Sequence, residues 1–420
     1  MIGQFFIKKQ LTFCNKFDIN KKDILHDFDG RICVFWKVNA MAKKRTSDAY
    51  RKLTGILIIL FVLTVLCGAG YLLLDQSIQV QQAENDARAK TENELLEAQY
   101  QQAKQEEQAK EAEGSAVQWP EPKPQGWDVV DLSNYPLTNT RSYDASRMEI
   151  ITSGMLLVNR WHAVPDDLAQ AEFLVVHTTD KRIATAGNSV KLLSPAITAL
   201  GDMVAEAKNA GLEHYNVEEG YRLREVQQDK YDKRAQEYAN RYSGDALTDK
   251  VVASGISVPG TSEYESGLSF CMGRYAKGDP IMDKKFHELP QSDWLLEHSW
   301  EYGIIFRFPV QGYPNATVTD KSYKTGQNSK LSIYRYVGKA NAAVMHIMDF
   351  CMEEYIEYLI QHPHIAVYQD GQLKYEIVRT EGYYGGNATV QVTRSAQEVS
   401  VSTDNMENNG MGGLIITMAY

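Results

Sequence analysis

Cysteine is scarce in this sequence: Cys14, Cys33, Cys67, Cys271 and Cys351 are the only five among 420 residues, and none stands in a CxxC pair. That excludes a disulfide framework and a zinc ribbon. Basic charge is also in short supply, with 44 Lys and Arg against 54 Asp and Glu and a net charge of -10. Phosphate attraction needs a basic surface, so no nucleic-acid partner is expected. No HExxH sequence and no internal repeat occurs. What is present is 44% apolar and 23% charged residues, the proportions of a globular protein, in a length that suits two or three folded units.

Charge vanishes altogether over Ile56 to Leu74, ILIILFVLTVLCGAGYLLL. About 20 apolar residues cross the hydrocarbon core of a bilayer, so 56–74 is expected to be a single transmembrane helix. A cleaved signal peptide is the competing reading. It fits less well, because Leu72-Leu73-Leu74 carry the run past the small residues Gly68-Ala69-Gly70. Lys43, Lys44, Arg45, Arg51 and Lys52 precede the run, and Asp75, Glu84 and Asp86 follow it. The positive-inside rule then places residues 1–55 in the cytoplasm and the C-terminal domain outside the cell membrane. Residues 1–40 show no targeting logic, whereas Met41-Ala-Lys-Lys-Arg reads as a start, so translation from Met41 is expected. Residues 75–114, rich in Gln, Glu, Ala and Lys, suit a solvated helical stalk. Pro120, Pro122 and Pro124 mark 115–145 as an extended linker.

From about Ser142 the pattern becomes mixed. Short strands are expected at Met155-Leu-Leu-Val-Asn, Phe173-Leu-Val-Val-His and Tyr215 to Arg222. Helical spacing of apolar residues predicts helices over Leu193–Ala210, Glu225–Tyr242 and Trp294–Tyr302, the last stopped by Gly303 and followed by the strand Ile304 to Phe308. One long helix is expected over Lys339–Gln361. After Pro363 the period switches to two. Ile365 to Tyr368 and Leu373 to Val378 flank Asp370-Gly371 as a hairpin, which Val390 to Thr393 and Leu414 to Met418 would extend. The fold class is α+β: a core over 146–362 with a small C-terminal β-unit over 363–420.

Five segments in consistent order resemble the VanY-type zinc D-alanyl-D-alanine carboxypeptidases. Ser262-Glu-Tyr-Glu-Ser-Gly-Leu-Ser-Phe-Cys271 resembles the signature SxHxxGxAxD, and Gly220-Tyr221-Arg222 with Gln227 resembles SGYRSYxxQ. Trp294-Leu-Leu-Glu with Tyr302-Gly-Ile-Ile-Phe-Arg-Phe-Pro309, Tyr334-Arg-Tyr-Val-Gly338 and Cys351 to Leu359 resemble WLxEN…YGFxLRYP, the end of EPWHxRYVG and the closing helix. The resemblance implies a D,D-carboxypeptidase core and a bacterial cell-wall setting.

It also implies a catalytic zinc, held by the His and Asp of the signature and the His of EPWH, with the EPWH Glu as general base. Here those positions carry Tyr264, Cys271, Ile333 and, for the base, Lys330. Ile offers no donor atom, and a Lys ammonium repels a divalent ion. No zinc is therefore expected, nor any other cofactor. None of the nine His stands in a family position. A nucleophilic Cys271 and a Cys271–Cys351 disulfide are further readings. The substrate side is better kept. The resemblance implies that Arg222 pairs with a peptide carboxylate and that Gln227 and Ser262 line the cleft; alternatively, Arg222 pairs with a nearby Glu, since Glu219 replaces a family Ser. The reading is a membrane-anchored, catalytically degenerate homologue that binds cell-wall stem peptide or a wall-enzyme partner. An active peptidase with an unrecognised site is the alternative.

Overall fold

The computed structural model describes residues 55–65, 76–88, 90–91, 125–275, 284–406 and 412–420. The chain divides into two units, 1–79 and 80–420. In the first, residues 55–65 are helical with exposed side chains; the second half of the apolar run, residues 66–74, and the start at Met41 lie outside the described residues. Among the described residues no helix is long and apolar enough to cross a membrane.

The strands of the second unit, apart from the short pair Leu174–Val175 and Lys191–Leu192, are in chain order β1 (Trp127–Asp131), β2 (Thr140–Ala145), β3 (Ala184–Thr185), β4 (Tyr215–Glu219), β5 (Ser269–Arg274), β6 (Ile304–Phe306), β7 (Ile333–Tyr336), β8 (His364–Gln369), β9 (Gln372–Glu381), β10 (Ala388–Thr393), β11 (Glu398–Thr403) and β12 (Gly413–Ala419). Its main helices, the single turns Val176–Thr179 and Ser322–Thr325 aside, are α1 (Arg147–Thr152), α2 (Ser194–Asn209), α3 (Arg224–Tyr238), α4 (Gly244–Ala253), α5 (Pro290–His298), α6 (Lys339–Ile347) and α7 (Met352–Gln361). Two five-stranded sheets organise them, in the orders β3-β4-β5-β7-β6 and β1-β8-β9-β12-β11. α2 packs Ile197, Leu200 and Met203 on the first sheet, against Val217, Phe270 and Tyr334. α6 and α7 are joined in one core with the second sheet through Met345, Tyr355 and Ile356 against Ile365, Val367, Ile377 and Ile415.

Several local signals give the expected elements. Gly303 stops the α5 segment in the left-handed region at φ 80°, and a Cβ there would lie 2.8 Å from the Gly338 carbonyl carbon, so only Gly fits. The β8–β9 hairpin turns at Asp370 and Gly371, both at positive φ.

Five expectations need correction. The long helix over 339–361 is two helices, because Asp349 adopts φ 54° and breaks the ladder between α6 and α7. Met155–Val158 is not a strand. The carbonyls of Gly154 and Leu156 accept from Arg335, that of Val158 from Arg307, and that of Leu157 from Asn405, at 2.7–3.1 Å. Side chains thus take the place of a neighbouring strand. Only Leu174–Val175 of the segment at 173–177 is strand, and Val176–Thr179 turns into a helix. The linker at 115–145 contains two strands: β1 pairs with β8, and β2 pairs with β10, which therefore does not extend the main hairpin sheet. Lastly, the stalk at 75–114 is helical over 76–88, but its Asn85 donates to the Arg241 carbonyl at 2.9 Å and its Asp86 accepts from the Ser243 amide at 3.0 Å, where α4 begins. That stretch is attached rather than free-standing.

Candidate functional site

The site lies where β4, β5 and β7 meet. Antiparallel pairing puts Cys271 opposite Ile333 on one side and opposite Glu219 on the other. Gly267 bends the chain into β5 at φ 68°, and a Cβ there would strike the Phe173 ring at 2.4 Å, so the signature glycine is sterically required. The Arg222 amide donates to the Tyr264 carbonyl at 3.0 Å, fastening the two motif segments together.

Cys271 and Tyr264 are poor ligands here. Burial, then the Glu218 carboxylate 3.6 Å from Sγ, pushes the Cys271 thiol up to about 12, and burial raises the Tyr264 phenol well above its ordinary value. Both are neutral at physiological pH, and a thiol held protonated is no nucleophile. Ile333 is buried at 4% exposure. Lys330 is exposed, its Nζ 5.9 Å from the centre of the Tyr313 ring. As a donor set, a phenol, a thiol and an aliphatic chain beside an ammonium do not fit a zinc ion. Among the described residues no three His, Cys, Asp or Glu side chains come together as a metal set. Cys271 and Cys351 are both free thiols, which corrects the disulfide reading.

Arg222 is almost buried, and its guanidinium lies over the Tyr264 ring, 4.4 Å from the centroid. It donates through Nη1 to Gln227 and through Nε to Glu219 Oε1 at 2.9 Å, and its Nη2 is ion-paired with the same oxygen at 2.6 Å. The pairing of Arg222 with a nearby Glu that the sequence allowed is formed with Glu219. Gln227 is fully buried, and its amide also donates to the Ser257 carbonyl at 2.6 Å. Ser262 is buried at the head of the short 3₁₀ turn Glu263–Ser266.

Two features escaped the sequence reading. One is Glu218, brought to Cys271 beside a register shift between Val217 and Glu219. The other is a buried charge network under the site. Glu263 takes Arg307 Nε and Arg335 Nη1, both at 2.5 Å, and Ser269 Oγ at 2.6 Å, while Glu353 holds the far side of Arg307 at 2.7 and 2.9 Å. Burial alone would raise the Glu263 carboxyl, but the two guanidinium groups outweigh it and hold it below its ordinary value. The signal was present as one charged residue in each of three motif segments, Glu263, Arg307 and Arg335.

Residues 189–323 match the family model of VanY, D-alanyl-D-alanine carboxypeptidase. A D-alanyl-D-alanine carboxypeptidase of Enterococcus faecium is 26% identical over 67% of this chain and 80% of its own length. The bifunctional D-Ala-D-Ala dipeptidase and D-Ala-D-Ala carboxypeptidase VanXYC of Enterococcus gallinarum is 29% identical over 34% of this chain and 66% of its own. The solved D,D-dipeptidase VanXYg, in complex with a D-Ala-D-Ala phosphinate analog, shares the fold at a TM-score of 0.51 and 17% identity, covering 67% of this chain and 99% of that one. VanYB in complex with D-alanine-D-alanine is 27% identical over 49% of this chain and 97% of its own, at a TM-score of 0.37.

Proposed function

We propose that this chain, which carries a VanY-type D-alanyl-D-alanine carboxypeptidase domain, binds the D-Ala-ended stem peptide of the cell wall without hydrolysing it. The observation that carries the reading is Cys271 facing Ile333 across β5 and β7. Two positions that the resemblance assigns to zinc ligands meet there as a protonated thiol and an aliphatic chain. Occupied by Lys330, the position that the resemblance assigns to the general base carries no carboxylate to take a proton from an attacking water. Arg222 remains in the cleft as the cation for a peptide carboxylate. In this proposal the apolar run 56–74 anchors the protein, and its C-terminal domain stands outside the membrane. Elemental analysis of the full chain, alongside a D-Ala release assay on a peptide ending in D-Ala-D-Ala, tests it. No stoichiometric zinc and no release are expected. One mole of zinc per mole of protein with chelator-sensitive release would replace the proposal with an active peptidase.

A further inference from the structure

The Arg222–Glu219 contact has an unequal geometry. A guanidinium and a carboxylate match best fork to fork, through two parallel N–H···O bonds to two different oxygens. Arg222 offers such a fork in Nε and Nη2, yet both converge on the single oxygen Oε1 of Glu219, at 2.9 and 2.6 Å. Lys230 Nζ approaches the same oxygen at 3.3 Å. Burial is unequal too. The Arg222 side chain is 9% exposed and that of Glu219 is 34%. The other side of the guanidinium is closed by buried Gln227, and its face is covered by Tyr264. The edge toward solvent is thus capped by a half-exposed carboxylate that uses one oxygen where two would fit.

From this we infer that Glu219 is a built-in competitor, a tethered carboxylate that occupies the Arg222 fork and that an incoming peptide carboxylate must displace. The inference rests on the proposed peptide-binding reading and adds a regulator to it. Glu219 lowers affinity, so that only a ligand with both carboxylate oxygens free to dock, and with further contacts along the cleft, holds the site. Its departure costs little structure, because Lys230 offers it a second cation at the surface.

Calorimetry with N-acetyl-D-Ala-D-Ala, and with the same dipeptide as its C-terminal amide, tests the idea on the full chain and on its Glu219→Ala and Glu219→Gln variants. Both variants keep the buried Arg222, and their thermal melts report folding. The acid should bind either variant about tenfold or more tighter than wild type, because a charge-assisted competitor has been removed, while the amide gains nothing. Equal affinity of wild type and variants for the acid would overturn the competitor and leave peptide binding standing. An equal gain for acid and amide would also overturn it, since mere space would then be the cause. No binding of the acid by any of the three folded proteins would overturn both the competitor and the peptide-binding proposal.

Discussion

Cys271 and Ile333 are direct cross-strand partners on β5 and β7, so the two positions cannot be altered independently. A His at 333 would enter a site that is 4% exposed and face a neutral thiol. Ile333→His alone is expected to destabilise the fold by about 1–3 kcal/mol, through a buried polar ring with no partner, and to restore no D-Ala release. Only the combined change Tyr264→His, Cys271→Asp, Lys330→Glu and Ile333→His supplies a ligand set and a base. Urea titration and the release assay check both halves, and activity from the single variant would sink the argument.

The thiol at 271 should be inert. With burial and Glu218 pushing it up to about 12, almost no thiolate exists at pH 8. Iodoacetamide at that pH should leave Cys271 unlabelled for far longer than a free cysteine. Glu218→Gln removes the nearest negative charge and should speed labelling. Intact mass measured over time gives the answer, and fast labelling of the wild type would be the contrary result.

The charge network under the site should be costly to break. Arg335→Met removes one guanidinium from buried Glu263 and strips the Gly154 and Leu156 carbonyls of their donors. A loss of about 3–5 kcal/mol is expected, the scale for a buried pair deprived of one partner. Denaturant midpoints of the two proteins read it, and a loss below 1 kcal/mol would show that water takes over the role.

His364 makes stability depend on pH. Its Nδ1 faces the Tyr135 carbonyl at 2.7 Å and its Nε2 faces Glu376 at 2.9 Å, so both ring nitrogens meet acceptors. Burial opposes the charged ring, but these two partners outweigh it and raise its pKa. For Glu376, burial is likewise outweighed by His364, Tyr420 and Thr393, which lower it. A raised His contributes fully below its unfolded value of about 6.5 and loses its contribution as pH climbs through the folded value. A lowered Glu contributes above its unfolded value of about 4.3 and loses that contribution as pH falls through the folded one. The stability advantage of wild type over His364→Gln should thus be largest near pH 5–6.5 and shrink toward pH 9. Thermal melts across that range decide it; a gap that does not change with pH would rule the pair out as the cause.

Elements with local causes were legible in the sequence. Gly303 and Asp370-Gly371 carry their backbone geometry in the residue itself, and α2 carries its apolar face in spacing alone. What could not be read depends on distant partners. Met155–Val158 has strand composition, but Arg307, Arg335 and Asn405 meet its carbonyls. Trp127–Asp131 lies just beyond a run of prolines and is a strand only because β8 lies beside it. At the site, motif spacing located Tyr264, Cys271, Ile333 and Arg222. It did not locate Glu218, because strict alternation along β4 would turn neighbouring Glu218 and Glu219 to opposite faces, whereas the register shifts there.

The pairing of β1 with β8, and of β2 with β10, bears on when this protein can finish folding. Trp127 must wait for Gln369, and Thr140 for Thr393, while the neighbouring ladder closes only with β12 at Gly413–Ala419. At a synthesis rate of ~5–20 residues per second, the first strand stays unmatched for roughly 12–50 s after it is made. Its early life is therefore that of an unpaired strand, which ends when β8 comes to lie beside it.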